Sequence, residues 1–204
     1  VKPLLDALLF RRAEHLYRRL RPHLPAHGRV LDVGSGTGHN ALVLERCTGL
    51  AVTEIDVAPM NWVGRTPLLF DGAHLPFADA VFDAVTLLFV LHYAVDPVGL
   101  LREARRVTRG PLLVLQSVSA SRTGAALLRA REWVQGRGAY RVTQWAGLLP
   151  RGPHPLTPRC FHTRPSLDRL IAAAGLHVVA REPSVDGWPG LSRELLILER
   201  DEHG

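Results

Sequence analysis

Three carboxylates and one run of glycines hold most of the chemistry that can be read from this chain. The segment Val30-Leu-Asp-Val-Gly-Ser-Gly-Thr-Gly38 runs from an apolar stretch into Gly34, Gly36 and Gly38, with Asp32 two residues before the first glycine. Glycines there let the chain turn tightly and let a ligand approach the backbone, and a following helix offers unpaired N–H groups at its start. Asp32 at the end of a first strand is placed for a ligand's ammonium group. Asp56 lies about twenty residues past Gly36, where a carboxylate, an acceptor only, can take both hydroxyls of a ribose. Asp71 is placed to receive an amino group such as adenine N6. Any one of these acids could equally be a helix cap or a loop acid, but together they suit a nucleoside bearing an ammonium better than a polyphosphate.

Other glycine-loop chemistries fit less well. A dinucleotide fingerprint needs Gly or Ala three places after Gly36, where this chain has His39. A phosphate loop needs a lysine, and the only lysine is Lys2. The two cysteines, Cys47 and Cys160, form no Cys-x-x-Cys pair and argue for neither structural zinc nor a disulfide framework.

The elements that must position these residues follow from the apolar periodicity. Leu4 to Leu20 reads as an amphipathic helix ended by Pro22 and Pro25, either a helix packed on a sheet, a lid, or a membrane-surface helix. Short apolar runs predict strands near Val30–Val33, Leu50–Ile55, Pro67–Phe70, Phe82–Leu88 and Leu112–Leu115. Helical spacing resumes at Ala41–Leu44, and again at Leu100–Val107. Thr163 as a cap, Pro165 in a first turn and Gly175 as a stop frame a late helix. His177–Ala180 and Glu194–Leu198 predict two last strands. This alternation is that of an α/β sheet, mostly parallel. A single domain is expected over 1–204, with residues 1–25 as a helical cap and 117–162 as a variable insertion on the substrate side.

Composition bounds the partners. The 204 residues are 47% hydrophobic and 22% charged, as in an ordinary globular domain, and no apolar run approaches the roughly 20 residues that span a bilayer. The N-terminal residues lack the segments of a signal peptide, so a cytoplasmic location is expected. The formal charge of +6 is carried almost entirely by scattered arginines such as Arg11-Arg12 and Arg105-Arg106. That distribution is a compositional bias rather than a stripe for nucleic acid, which is not the expected partner.

With these residues in place, the chain resembles the class I S-adenosylmethionine-dependent methyltransferases, in particular the small-molecule group that includes ubiquinone and menaquinone biosynthesis enzymes. Residues 30–38 look like the family's first motif. Asp56 in Glu-Ile-Asp-Val-Ala-Pro-Met matches its ribose-binding acid, and Asp71 in Asp-Gly-Ala-His-Leu-Pro-Phe its adenine-binding acid. Phe82-Asp83 with Leu87-Leu-Phe-Val-Leu-His-Tyr is similar to the fourth motif. The matches run in order from about residue 28 to 116, and Leu167–Gly175 resembles a late helix. Two departures stand out. The family's helix between Asp56 and Asp71 is short or missing here, which leaves Trp62 as an alternative wall for the adenine. Thr108-Arg-Gly-Pro111 replaces a Pro-Gly-Gly turn.

The resemblance implies a Rossmann-like, doubly wound, mostly parallel seven-stranded sheet with an antiparallel last strand. It implies S-adenosyl-L-methionine as cofactor, held by Asp32, Gly34, Ser35, Gly36, Asp56, Val57, Asp71, Gly72, Leu88 and Phe89, and methyl transfer with no metal. The expected acceptor is a small molecule, with a hydrophobic one favoured, in a pocket lined by Trp133, Tyr140, Trp145, Leu148 and Leu149; the alternative for each of these aromatics is that it simply glues the insertion to the sheet. His92, with Tyr93 beside it, is the candidate base, since an unperturbed imidazole titrates in the useful range; a helix-start histidine packed structurally is the alternative. His39, His154 and His162 are expected at the surface or in loops. The rival functions are a non-catalytic S-adenosylmethionine-binding regulatory partner, a nucleic-acid or protein methyltransferase, and a nicotinamide oxidoreductase. A monomer or homodimer is expected.

Overall fold

The computed structural model describes residues 2–119, 158–185 and 191–200, with Gly124, Ala126, Gln144 and Trp145. Its framework is one sheet with helices on both faces. The strands are β1 (Arg29–Val33), β2 (Ala51–Asp56), β3 (Leu68–Leu69), β4 (Ala84–Leu88), β5 (Leu112–Ser119), β6 (His162–Thr163), β7 (Leu176–Val185) and β8 (Leu191–Arg200). The helices are α1 (Lys2–Leu20), α2 (His39–Thr48), α3 (Pro97–Val107) and α4 (Arg164–Ala173), and a short 3-10 turn, Arg21–His23, ends α1 at Pro22.

The sheet runs β3-β2-β1-β4-β5-β8-β7. The first five strands along this path are parallel, and β8 lies antiparallel to both β5 and β7. This is the doubly wound sheet expected from the sequence. Beyond the seven strands of the path there is an eighth, the two-residue β6, which pairs parallel with the end of β5. The later strands are longer than their apolar runs because β5, β7 and β8 continue into polar residues that still find ladder partners.

Side-chain alternation divides the core in two. Leu31, Val33, Val85, Leu87, Leu112 and Val114 pack with Leu100, Leu101 and Ala104 of α3 and Leu167 and Ile171 of α4. Leu88, Leu113, Leu115, Leu195 and Ile197 pack against Leu16 and Leu20 of α1, and Val30 and Ala84 lie with Ala41 and Leu44 of α2. β4 is buried along its whole length, so its run Ala84-Val-Thr-Leu-Leu88 carries no outward polar residue. The helix starts are set locally. Asp96 accepts the N–H of Gly99 at 2.9 Å and Pro97 occupies the first turn of α3, while Thr163 and Ser166 form a reciprocal capping box on α4.

The turn Thr108-Arg-Gly-Pro111 is tied to the start of β4. Phe82 bridges to Thr108, and Arg109 pairs with Asp83 at 2.6 Å. A side chain at Gly110 would stand 2.0 Å from the Asp83 carbonyl oxygen, a backbone atom with little room to yield. Gly110→Ala should therefore destabilise the fold by about 1–3 kcal/mol, the range for forcing atoms into a packed site. A denaturant midpoint unchanged in this variant would refute that account of the turn.

Candidate active site

The strand order reverses between β1 and β4, because the chain leaves β1 toward β2 and β3 and later returns on β1's other side. In open α/β sheets such a reversal opens a crevice at the carboxyl ends of the two strands. Asp32 and Thr86 are register partners across it. Thr86 Oγ1 donates to Asp32 Oδ1 at 2.7 Å, whereas Asp32 Oδ2 is buried with no hydrogen-bond partner among the described residues. Burial, reinforced by nearby Glu54 and Asp56, pushes the Asp32 carboxyl up to about 7. A small cleft beside Asp32 is lined by Ala13, Leu16 and Tyr17 of α1, by Asn40 and Ala41 of α2, and by Leu88. The first helix is thus one continuous element that roofs this carboxylate.

The glycine loop is held from β2. Gly34 N donates to the Ile55 carbonyl at 2.8 Å, and Gly36 N donates to Asp56 Oδ2 at 2.7 Å. Asp56 Oδ1 accepts the N–H of Ala58 at 3.1 Å, so this buried carboxylate braces both the loop and its own turn. Each of its oxygens keeps a further acceptor site. Gly36 adopts φ +55°, and beyond its two chain neighbours no described atom lies within 4 Å of where its Cβ would stand, so its backbone is open to a ligand. Ser35, beside it, is buried. On the loop's other flank there is no space, since a Cβ on Gly38 would be 2.1 Å from Asn61 Nδ2.

Asn61 belongs to the stretch that stands where a helix between Asp56 and Asp71 was expected to be short or missing, and it contains none. The stretch folds back on the loop. Trp62 N donates to the Thr37 carbonyl at 3.0 Å, and the buried Trp62 indole N–H has no partner among the described residues. Asn61 donates to Glu54 at 3.0 Å, and Arg65 pairs with Glu54 at 2.7 Å. Buried Glu54, two residues before Asp56, was not singled out from the sequence; it anchors this substitute for a helix.

β2 and β3 bring the second and third acids together. Val57 Cγ1 lies 3.2 Å from where a Cβ on Gly72 would stand. Asp71 is exposed and accepts the N–H groups of Ala73 and His74 at 2.8 and 2.7 Å and the His74 ring at 3.0 Å, which hold its carboxyl well below the usual range. Leu88 ends β4 at the crevice, and Phe89 follows it.

Of the histidines, His92 takes the packed position that was the alternative to a base, and two others lie deeper than expected. His92 is buried, its Nδ1 accepting from Gln116 Nε2 at 3.0 Å and its ring packed on Tyr93 and Phe161. Burial pulls it down to about 4, with His162 adding to the effect. Its carbonyl accepts the N–H of Arg159 at 2.7 Å, fastening the turn after β4 to the irregular segment that enters β6. His162 and His39 are buried rather than at the surface. His162 is drawn inward by β6, and His39 is covered by α1, with its Nε2 3.4 Å from Asp6 and its ring edge-on to Phe10. Gln116, fully buried, was also missed; the available signal was a lone amide ending the apolar run Leu112–Leu115. Trp145 is 86% exposed, which does not fit a wall of an apolar pocket. Trp133, Tyr140, Leu148, Leu149 and His154 lie outside the described residues, as does the helix expected from Ala125. No helix among the described residues is long and apolar enough to cross a membrane.

A family profile described as a methyltransferase domain matches residues 5–181. A demethylmenaquinone methyltransferase of Roseiflexus sp. (strain RS-1) is 36% identical over 166 residues, covering 74% of this chain and 68% of that protein. Another, from Thermus thermophilus, is 33% identical over 197 residues, covering 86% of this chain and 87% of that protein. Three mycobacterial relatives at 28% identity are longer, and the chain spans 56% of their length. Among solved structures, the geranyl diphosphate C-methyltransferase of Streptomyces coelicolor A3(2), in complex with Mg2+, geranyl diphosphate and S-adenosyl-L-homocysteine, has the same fold. Its TM-score is 0.66 at 15% identity, covering 92% of this chain and 79% of that one.

The buried Asp32 carboxyl has a pH signature. Because its folded value of about 7 lies above the ordinary 3.8, the folded state holds this proton more tightly than the unfolded chain. Its contribution is therefore most favourable below about pH 4 and is lost as pH rises through about 7. Buried His39, His92 and His162 are shifted down and act in the opposite sense. The difference in melting temperature between the ligand-free protein and Asp32→Asn should isolate the first effect. The variant should gain on the parent from pH 4 to 8, and parallel curves would refute the raised carboxyl.

Proposed function

Because this chain belongs to the class I S-adenosylmethionine-dependent methyltransferases, we propose that it transfers a methyl group from S-adenosyl-L-methionine to a small hydrophobic acceptor by in-line displacement. The observation that carries the cofactor reading is the buried Asp32 oxygen left without a partner among the described residues at the switch point, next to a glycine loop whose Gly36 backbone is open. A buried carboxylate oxygen with no donor is costly unless a cation completes it, and an amino-acid ammonium is such a cation. The residues fit the cofactor.

In this reading Asp32 holds the ammonium, and Leu88 and Phe89 flank the methionine part. Asp56 uses its remaining acceptor sites for the ribose, with Ser35, Gly34 and Gly36 shaping the loop beneath. Val57, Asp71 and Gly72 line the adenine side. The chemistry supplied by the bound cofactor is a methyl carbon made electrophilic by its sulfonium. The chain's own task is to align an acceptor with that carbon and to keep water out, and α1 over the crevice serves the second. His92, pulled down to about 4, is a neutral and weak base at pH 7. Its bonds to Gln116 and Arg159 suit it to holding the turn after β4, with Tyr93, rather than to moving a proton.

The acceptor reading is supported by the two relatives named as demethylmenaquinone methyltransferases, and by Leu16, Leu20 and Leu88, which line the small cleft beside Asp32 on α1's side of the sheet.

Calorimetric titration with S-adenosylmethionine and S-adenosylhomocysteine, with NAD as control, tests the cofactor. Micromolar binding of the first two is expected. Asp32→Asn should weaken it by about tenfold or more, as for a lost hydrogen bond to a charged group. Affinity should rise with pH up to about 7 and then level off in the parent protein, because the ammonium binds the ionised carboxylate, and should stay flat in the variant. Binding of NAD alone would overturn the proposal. Asp56→Ala should weaken the cofactor and also lower thermal stability, since Gly36 and Ala58 lose their acceptor; an affinity unchanged in that variant would remove Asp56 from the site.

A further inference from the structure

The turn that carries Asp71 is anchored at both ends by other parts of the molecule. Before it, Phe70 N donates to the Asp56 carbonyl at 3.1 Å, so the turn leaves from the end of β2. After it, buried Leu75 is held from α3. Its N–H donates to Glu103 Oε2 at 3.0 Å, and its carbonyl accepts from Arg106 Nη2 at 2.9 Å. The segment Asp71-Gly-Ala-His74 thus bridges two fixed residues.

Arg106 holds more than one carbonyl. Its Nη1 donates to the Phe77 carbonyl at 2.8 Å and to Asp79 Oδ1 at 2.7 Å, and its Nε and Nη2 each meet a Glu103 oxygen at 2.8 Å. Its own carbonyl accepts the N–H of Ala80 at 2.9 Å. All the guanidinium nitrogens are therefore bonded, and most of their bonds run to Leu75, Phe77 and Asp79. A planar fork of donors can tie down such a segment, and a lysine ammonium cannot reach so many partners at once.

The same network reaches Asp71. Its Oδ1 accepts the N–H groups of Ala73 and His74, and its Oδ2 accepts the His74 ring. The bond to Asp71 raises the affinity of that ring for a proton, and the charge of Glu103 adds to it. A carboxylate oxygen offers about two acceptor sites, so the one that the described residues leave vacant is on Oδ2.

We propose that Arg106 and Glu103 are positioning residues for the base of the cofactor: by fixing Leu75 and the segment after it, they present the remaining acceptor site of Asp71 to a 6-amino group. The inference rests on the placement of Asp71 at the adenine side in the reading above, and adds the device that makes this exposed acid selective. An exposed carboxylate tells an amino group from hydrogen only when it is held in place, because a mobile one turns to water at no loss. Bonds within the turn give it shape, and the tie to α3 gives it place.

The test titrates the full chain with two ligands that share their ribose and amino-acid parts, S-adenosylhomocysteine and its analogue with hydrogen in place of the 6-amino group. The parent protein should prefer S-adenosylhomocysteine by about tenfold, as for a hydrogen bond to a charged group. Arg106→Gln and Glu103→Ala, each made singly, should cut that preference to about threefold or less by weakening S-adenosylhomocysteine alone. The retained affinity for the analogue reports that a variant folds, and either variant suffices. Gly110→Ala, which strains the fold at the turn before β5, is the control for general loosening and should keep the preference. A preference that survives both substitutions, a loss shared equally by the two ligands, or a preference erased as fully by Gly110→Ala would overturn the positioning role and leave the cofactor reading standing. Equal binding of the two ligands by the parent protein would instead remove Asp71 from the base, and the positioning role with it. Failure of S-adenosylhomocysteine to bind the parent protein would overturn the cofactor reading and this inference together.

Discussion

The hydrogen bond from Thr86 to Asp32 joins the two strands between which the sheet reverses direction, and the candidate site is arranged around that carboxylate. A carboxylate in the middle of an apolar sheet is tolerable only with partners or a proton. Thr86 satisfies one oxygen, and burial lifts the group to about 7, so near neutral pH the ligand-free protein holds it close to half-protonated. In the proposed reading, an ammonium arriving at the oxygen that has no partner among the described residues replaces that proton. One constraint thus links the topology of the sheet, the protonation of its centre and the charge of the ligand that suits it.

Asp56 shows how one residue can serve structure and site together. Its bonds to Gly36 and Ala58 shape the loop before any ligand is present, while its spare acceptor sites stay available. Preorganisation of this kind lowers the ordering needed on binding. The stretch after it, without a helix, is stabilised by Glu54 through Asn61 and Arg65 and seals the flank of the loop at Gly38. The opening at Gly36 and the closure at Gly38, two residues apart, restrict a ligand to one side.

The opposite edge of the crevice is built by contacts between distant segments. α1 supplies Leu16, Leu20 and Arg12, β8 supplies Leu195 and Arg193, and the strained turn after β4 supplies Phe89. β6 brings buried His162 beside buried His92, which Gln116 of β5 ties to the turn after β4. Burial sets the charge state of these rings, so the residue that looked most like a base is better suited to support.

The sequence by itself determined the alternation of strands and helices, the glycine loop, and the places of Asp32, Asp56 and Asp71, because each depends on local periodicity or on residues close together in the chain. The missing helix before Asp71 was legible for the same reason: too few residues separate Asp56 from Pro67. Only the tertiary structure decided that His39 and His162 are buried, that Asp32 keeps an oxygen without a partner among the described residues, that Glu54 and Gln116 matter, and that Arg12 and Arg193 meet at Phe89. Those properties depend on desolvation and on contacts between segments up to about 180 residues apart, and neither periodicity nor spacing along a chain carries information about which distant side chain will take the water's place.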